Sequence, residues 1–152
     1  MDLDQIDRRI LSQMQKNADL PNTKLARLVG LSPSACLRRV ARLKADGAIR
    51  SIVATVDPAH LNRRLGAVVT VKFDRHGPEF RRDFIKMVQN EPAVSQCYMV
   101  SGELSCVLML HVVDMEEYTN LADQLFHADR NVATFTTHFV MNVAKLEPAM
   151  AV

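Results

Sequence analysis

The chain has 152 residues, 48% of them hydrophobic and 24% charged, with a formal net charge of +2. The hydrophobic fraction and the absence of low-complexity tracts predict a soluble globular protein, and the length leaves room for one domain or two small ones. No apolar run approaches the roughly 20 residues that span a bilayer, and the N-terminus lacks the features of a signal peptide. Cys36, Cys97 and Cys106 show no metal or disulfide spacing, so we expect small buried thiols in a cytoplasmic protein without a membrane partner.

The N-terminal third predicts three helices. Apolar residues recur at helical spacing over residues 3–16 and predict the first helix there, namely Leu3, Ile6, Ile10 and Met14. Asn22 is a candidate cap for the second helix, which Gly30 ends in the manner of a C′ glycine. Ser32 caps the third helix and Pro33 takes its first position. Two helices joined by such a tight turn are typical of a helix-turn-helix.

The third helix carries a cationic stripe. One side of the helical wheel is apolar, with Cys36, Leu37, Val40 and Leu43, and the roughly opposite side holds Ala35, Arg38, Arg39 and Arg42. Guanidinium groups fit phosphate oxygens and the O6 and N7 atoms of guanine, which favours DNA over the alternative of a solvated helix face. The predicted contacts to double-stranded DNA are Lys24, Ser32, Ser34, Ala35, Arg38, Arg39, Arg42 and Arg50.

Charge is divided unevenly along the chain. Residues 1–64 contain 12 Lys and Arg against 6 Asp and Glu, whereas residues 65–152 contain 7 against 11. A basic N-terminal part followed by an acidic C-terminal part indicates that the N-terminal part binds a polyanion. Residues 48–56 are rich in β-branched types and predict a strand, or wing, after the third helix. We therefore predict a winged helix-turn-helix domain over residues 3–64, with a linker at its end.

From residue 65 the hydrophobic pattern changes. Strands are predicted over residues 66–73, 94–100, 104–113 and 132–143. One helix opens at Gly77 and Pro78 and a second is capped by Asp114. This order, strand-helix-strand-strand-helix-strand, predicts a ferredoxin-like domain over residues 65–152 and an α+β fold overall. Two helices cover one side of such a sheet, so the apolar residues on its other side predict burial against another subunit, the alternative being an unusually apolar exposed face.

Five segments together resemble the Lrp/AsnC family of transcription regulators: residues 2–11, 29–40, 43–49, 100–102 and 113–115. The resemblance implies a winged helix-turn-helix joined to a ferredoxin-like effector and assembly domain. It also implies a homodimer formed through the sheets, which often builds a larger oligomer such as an octamer. Small effectors, commonly amino acids, are implied to bind between dimers near the turn between the second and third strands.

The resemblance implies an effector site made of Ser101, Gly102, Glu103, Ser105, Phe135 and Thr137. The family usually has an acidic residue where this chain has Ser105, and a Thr-x-Thr pair of which only Thr137 is retained here. A ligand's ammonium group therefore loses a charged partner, although Glu103 could supply a neighbouring carboxylate. We expect weak binding of ordinary amino acids, or an effector that is more apolar or aromatic.

Two alternative functions make different demands on the sequence. The five histidines lack metal-ligand spacing, and the sequence has no phosphate-binding glycine loop or nucleophile motif, so we expect neither an enzyme nor a cofactor. Within DNA binding, the alternative is an effector-independent architectural protein. A thermal-shift screen would separate the two, because a ligand that binds the folded state raises its stability.

Overall fold

The computed structural model describes residues 2–128, 131–146 and 149–150. Its described residues form two compact units. The first contains those up to Thr55 together with those from Ala144 onward, and the second contains those of Val56–Val143. This division lies nine residues before the boundary predicted from sequence. The reason is that Arg63 donates to the carbonyl of His111 (2.8 Å) and to Glu117 Oε1 (3.0 Å), which ties the expected linker to the second unit. In the described ranges no helix is long and apolar enough to cross a membrane.

The first unit consists of helices α1 (Gln5–Lys16), α2 (Asn22–Val29) and α3 (Pro33–Ala45). A capping box starts α1, in which the Asp4 side chain accepts from the Asp7 N–H and the Asp7 side chain from the Asp4 N–H. Gly30 ends α2 at φ 75°, a left-handed conformation that favours glycine. The three helices enclose a core of Ile10, Leu25, Ala26, Val29, Cys36 and Leu43.

Two local predictions in this unit are wrong. Asn22 does not cap α2, because Pro21 takes that position, and the Asn22 side-chain amide instead donates to the Pro33 carbonyl at 2.8 Å. That bond ties α2 to the start of α3. Residues 48–56 form no strand, and Val53 is 78% exposed. β-Branched residues favour an extended backbone, but a strand also needs a hydrogen-bonding neighbour, which the described part of this chain does not place there.

The second unit is a four-stranded antiparallel sheet with two helices. After a short 3-10 helix, Pro58–Leu61, its elements are β1 (Leu65–Phe73), α4 (Pro78–Asn90), β2 (Val94–Met99), β3 (Cys106–Val112), α5 (Met115–Ala122), a π-helical extension (Asp123–His127) and β4 (Val132–Phe139). The strand order is β2-β3-β1-β4. The predicted ferredoxin-like arrangement is confirmed.

Strand register separates two faces of the sheet. Val69 lies opposite Leu108 on β3 and Thr137 on β4, so these side chains share the face that α4 and α5 cover. Phe84 of α4 is fully buried on this face, with its ring 5.0 Å from that of Phe73 in an edge-to-face contact. The other face carries Val68, Thr70, Val107, Met109 and Tyr98 without a covering helix from this unit.

Candidate nucleic-acid interface and ligand cavity

Helix α3 exposes a narrower cationic surface than the sequence predicted. Ser32 caps it as expected, accepting from the Ala35 N–H at 3.3 Å. Cys36 and Leu43 are fully buried, which fixes the inward direction of the helix. At about 100° per residue, Arg38 lies about 160° from Cys36, but Arg39 lies only about 60° away. Arg38 therefore projects outward, whereas the prediction that Arg39 also does so is wrong.

Arg39 and Arg42 reach across to α1 instead. Arg39 Nη1 binds Asp4 Oδ2 at 2.6 Å and Asp7 Oδ1 at 2.8 Å, and Arg42 Nη2 binds Asp7 Oδ2. The Asp7 side chain is only 1% exposed, so both guanidiniums serve a buried carboxylate. The Asp7 N–H and the Arg39 side chain hold the pKa of Asp4 below its usual value, and hydrogen bonds to Asp4 and Asp7 raise the pKa of Arg39.

The remaining predicted DNA contacts lie on the surface of the same unit. Ser34 is exposed, with its hydroxyl 3.2 Å from that of Ser32 at the start of α3. Lys24 on α2 and Arg50 after α3 are exposed as well, whereas Ala35 is half-buried. Leu37, expected on the buried side, is 60% exposed, because it lies about 100° from Cys36 around the helix. The helix itself was therefore predicted correctly, whereas the directions of Leu37 and Arg39 at the borders of its two faces were not.

A cavity of about 130 Å³ in the second unit brings together three of the predicted effector residues. Ser101, Gly102 and Ser105 line it from the turn between β2 and β3. Ser105 is 6% exposed, and its Oγ accepts from the Phe73 N–H at 2.9 Å. The serine that stands where an acidic residue was expected therefore anchors the end of β1.

The other three predicted effector residues do not line this cavity. Glu103 is exposed on the turn. Phe135 packs on Phe126, with ring centroids 4.8 Å apart, and the Thr137 hydroxyl lies 2.5 Å from Tyr118 Oη. Within one chain, Phe135 and Thr137 belong to the helix-covered face of the sheet.

Three basic residues that sequence analysis missed complete the cavity wall. Arg75 and His76 follow β1, and Arg81 lies on the first turns of α4. The guanidinium of Arg75 lies 4.5 Å from the centroid of the Phe80 ring. These residues lie 20 to 30 positions before Ser101 and Ser105 of the turn, so spacing alone did not connect them. The one available signal was the grouping of Arg75, His76, Arg81 and Arg82 around a Gly-Pro helix start.

The cysteines and histidines give no second site. Cys36 and Cys106 are buried as predicted, and burial raises the pKa of the Cys36 thiol, but Cys97 is exposed on the edge strand. The described residues contain no group of three His, Cys, Asp or Glu side chains that could hold a metal ion.

Family models match both units. The AsnC-type helix-turn-helix domain matches residues 3–44, and the Lrp/AsnC ligand binding domain matches residues 66–150. The leucine-responsive regulatory proteins of Klebsiella pneumoniae and Escherichia coli K12 are each 35% identical over 144 residues, covering 95% of this chain and 88% of theirs.

Solved structures agree with the sequence comparison. A transcriptional regulator of Neisseria meningitidis, crystallised with L-Met, superposes with a TM-score of 0.91 at 30% identity, covering 98% of this chain and 96% of that one. An AsnC family transcriptional regulator from Agrobacterium tumefaciens gives a TM-score of 0.89 at 29% identity, with 97% and 95% covered.

A helix-turn-helix joined to a ligand-binding domain defines this protein as a DNA-binding regulator of transcription and not an enzyme. The two matched family models and the 35% identity over nearly the whole chain identify the family within this class. The chain belongs to the Lrp/AsnC family of transcriptional regulators.

Proposed function

We propose that the protein binds duplex DNA sequence-selectively through α3, with Arg38 reading base edges in the major groove. The observation that supports this most is the isolation of Arg38. It is exposed on the outward side of α3, and none of the ion pairs among the described residues involves it. A free guanidinium fork there matches the O6 and N7 acceptors of guanine.

Arg39 and Arg42 take a different part in this proposal. Their guanidiniums are already bound to Asp4 and Asp7, so they fix α3 against α1 and thereby set the direction of Arg38. Arg42 remains 48% exposed and is free to contact a phosphate from its outer side. Ser34, Lys24 and Arg50 supply further donors to the DNA backbone, which position the protein but carry no sequence information.

Replacing Arg38 by Ala should weaken binding to the specific operator by about 1–3 kcal/mol and weaken binding to random DNA much less. Arg38→Lys is the matched control, because it keeps the charge and loses the planar fork. It should retain binding to random DNA while losing most of the discrimination. Fluorescence anisotropy at fixed salt measures both quantities. Equal losses on the two DNAs with Arg38→Ala would show that this side chain neutralises phosphate only.

We also propose a homodimer formed through the uncovered face of the sheet, as a unit of a larger oligomer such as an octamer. Val68, Val107 and Met109 form the apolar centre of that face, and Tyr98 at its edge is 58% exposed. Apolar side chains at the centre of an exposed sheet face are best explained by a partner subunit that covers them.

The cytoplasmic localisation expected from sequence stays a prediction.

A dimer that carries two recognition helices should prefer a pseudo-palindromic operator whose half-sites are separated by one or more turns of the DNA helix, about 34–36 Å each.

Met109→Glu places a charge in the centre of the proposed interface and should give monomers in analytical ultracentrifugation. Gln89→Glu, an exposed change of the same charge on α4, should leave the dimer intact. A wild-type monomer at micromolar concentration, or a footprint over a single half-site, would contradict this proposal.

Regulation by a small molecule completes the proposal. The cavity beside the β2–β3 turn is its site, and the neighbour crystallised with L-Met has the same fold at 30% identity. The departures at Ser105 and Phe135 favour, as a second candidate, an architectural protein that needs no effector. Thermal shifts with a metabolite panel discriminate, since only the first candidate should show a ligand-dependent rise in melting temperature.

A further inference from the structure

The cavity beside the β2–β3 turn has an unbalanced charge. Arg75, His76 and Arg81 form one wall, and the backbone and side chains of the turn form the other, with Phe73, Met99 and Leu104 as apolar lining. No residue that lines it is acidic. Among the ion pairs of the described residues, none involves Arg75 or Arg81. Two arginines without an ion pair among the described residues thus line a small cavity that has no acidic residue in its lining.

A buried hydroxyl adds a neutral donor. Ser105 Oγ accepts one hydrogen bond, from the Phe73 N–H, and no hydrogen bond among the described residues uses its own proton. That proton is available to an acceptor in the cavity, whose wall includes Ser105. Arg75 is held over the Phe80 ring, which reduces the entropy it loses when it binds a ligand. The cavity therefore offers donors and positive charge.

The Glu79 carboxylate lies close to Gly77, which lines the cavity. The oxygens of Glu79 are 2.7 and 2.9 Å from the position that a Cβ on Gly77 would take, so this side chain lies over the start of α4. Glu79 is exposed and does not line the cavity. Asp74 and Glu103 adjoin lining residues in sequence, but they too are exposed and do not line the cavity. Glu79, whose carboxylate lies against Gly77 of the lining, has to be tested directly as a partner for a ligand's ammonium group.

We propose that the effector of this regulator is a small organic acid without an ammonium group, such as a 2-oxo acid, whose carboxylate binds Arg75 and Arg81. This inference rests on the proposed regulation by a small molecule and assigns its chemical class. Guanidinium–carboxylate hydrogen bonds are strong, whereas an ammonium group beside two guanidiniums is repelled and finds no charged acceptor among the residues that line the cavity. A cavity of about 150 Å³ holds benzene, so about 130 Å³ suits an acid of roughly six non-hydrogen atoms.

The test uses the full chain and matched ligand pairs in titration calorimetry: pyruvate with alanine, and 2-oxobutyrate with 2-aminobutyrate. Succinate and inorganic phosphate are added to distinguish other anions. We expect each oxo acid to bind at least tenfold more tightly than its amino acid. Amino acids binding as tightly as their oxo acids would overturn the assignment, and so would phosphate binding as tightly as any carboxylate.

Two variants locate the ligand. Arg81→Gln should weaken oxo-acid binding at least tenfold, while Arg82→Gln, an exposed neighbour that does not line the cavity, should leave it unchanged. Glu79→Gln should leave oxo-acid binding equal or tighter. If Glu79→Gln instead abolishes amino-acid binding, this carboxylate is an ammonium partner and the proposed class is wrong.

The outcomes also separate the two proposals. Binding of amino acids alone overturns the ligand class and leaves small-molecule regulation standing. A panel in which no compound binds or shifts the melting temperature overturns regulation itself, and the class with it. Neither result touches DNA binding, which the Arg38 variants test independently.

Discussion

Removing Arg39 and Arg42 together should lower the free energy of unfolding of the helical unit by about 3–5 kcal/mol. The double change to Ala leaves the Asp7 carboxylate, 1% exposed, without its cationic partners. A buried charge that loses its partners costs this much because the desolvation of the ion is no longer compensated. Replacing Asp7 should lower the free energy of unfolding by less, because the two arginines left behind are 28% and 48% exposed and become solvated.

A cycle of variants tests this explanation. Adding Asp7→Ala to the double variant should restore part of the lost stability, because the unpaired charge is then gone. Arg38→Ala with Lys44→Ala is the matched control, since it removes two exposed cations of the same helix that have no ion pair among the described residues, and should change stability by less than about 0.5 kcal/mol.

Amide hydrogen exchange at Ile10 and Leu43, both fully buried in this unit, is the measurement. If the control variant and the Arg39/Arg42 double variant lose the same amount of stability, the ion pairs to Asp7 contribute nothing specific. If the triple variant, which adds Asp7→Ala, is no more stable than the double variant, the loss of stability has a cause other than the unpaired buried charge.

In the second unit, Phe84→Ala should lower the free energy of unfolding by about 3–5 kcal/mol, the usual cost of emptying a buried aromatic position. Phe84 is fully buried, and its ring contacts that of Phe73 and lies 6.5 Å from that of Phe126. Since Phe73 also lines the ligand cavity, ligand affinity should fall along with stability.

Tyrosine fluorescence during urea unfolding measures this change, because the chain has two tyrosines and no tryptophan, and Tyr98 and Tyr118 both lie in the second unit. Phe84→Leu keeps most of the volume and should cost less than about 1.5 kcal/mol. An Ala variant within about 1 kcal/mol of the wild type would mean that the core closes around the missing ring.

The residues proposed for regulation and those proposed for DNA binding belong to different units of this chain. Arg38 is presented by the helical unit, and the cavity with Arg75 and Arg81 belongs to the sheet unit. The proposed roles can therefore be tested by variants in one unit with the other as an internal reference. A change at Arg81 that altered operator affinity only when an acid is present would connect the two.

Elements whose signals are local could be predicted from the amino-acid sequence alone. Ser32 and Pro33 start α3, Gly30 ends α2, and hydrophobic periodicity located both units, because caps, turns and amphipathic faces are decided within a few residues. The family followed from the same segments. The prediction of a strand over residues 48–56 was wrong, because a strand needs a hydrogen-bonding neighbour and local propensity does not specify one.

Which charged side chains remain unpaired depends on contacts between distant segments. Asp7 pairs with arginines 32 and 35 positions away, and this distant contact leaves Arg38 as the unpaired arginine of the predicted stripe. Likewise, the end of β1 and the start of α4 bring Arg75 and Arg81 to the β2–β3 turn, where Ser105 is buried. Contacts between distant segments depend on how helices and strands pack, and the pattern of a single chain does not specify which oppositely charged side chains will meet.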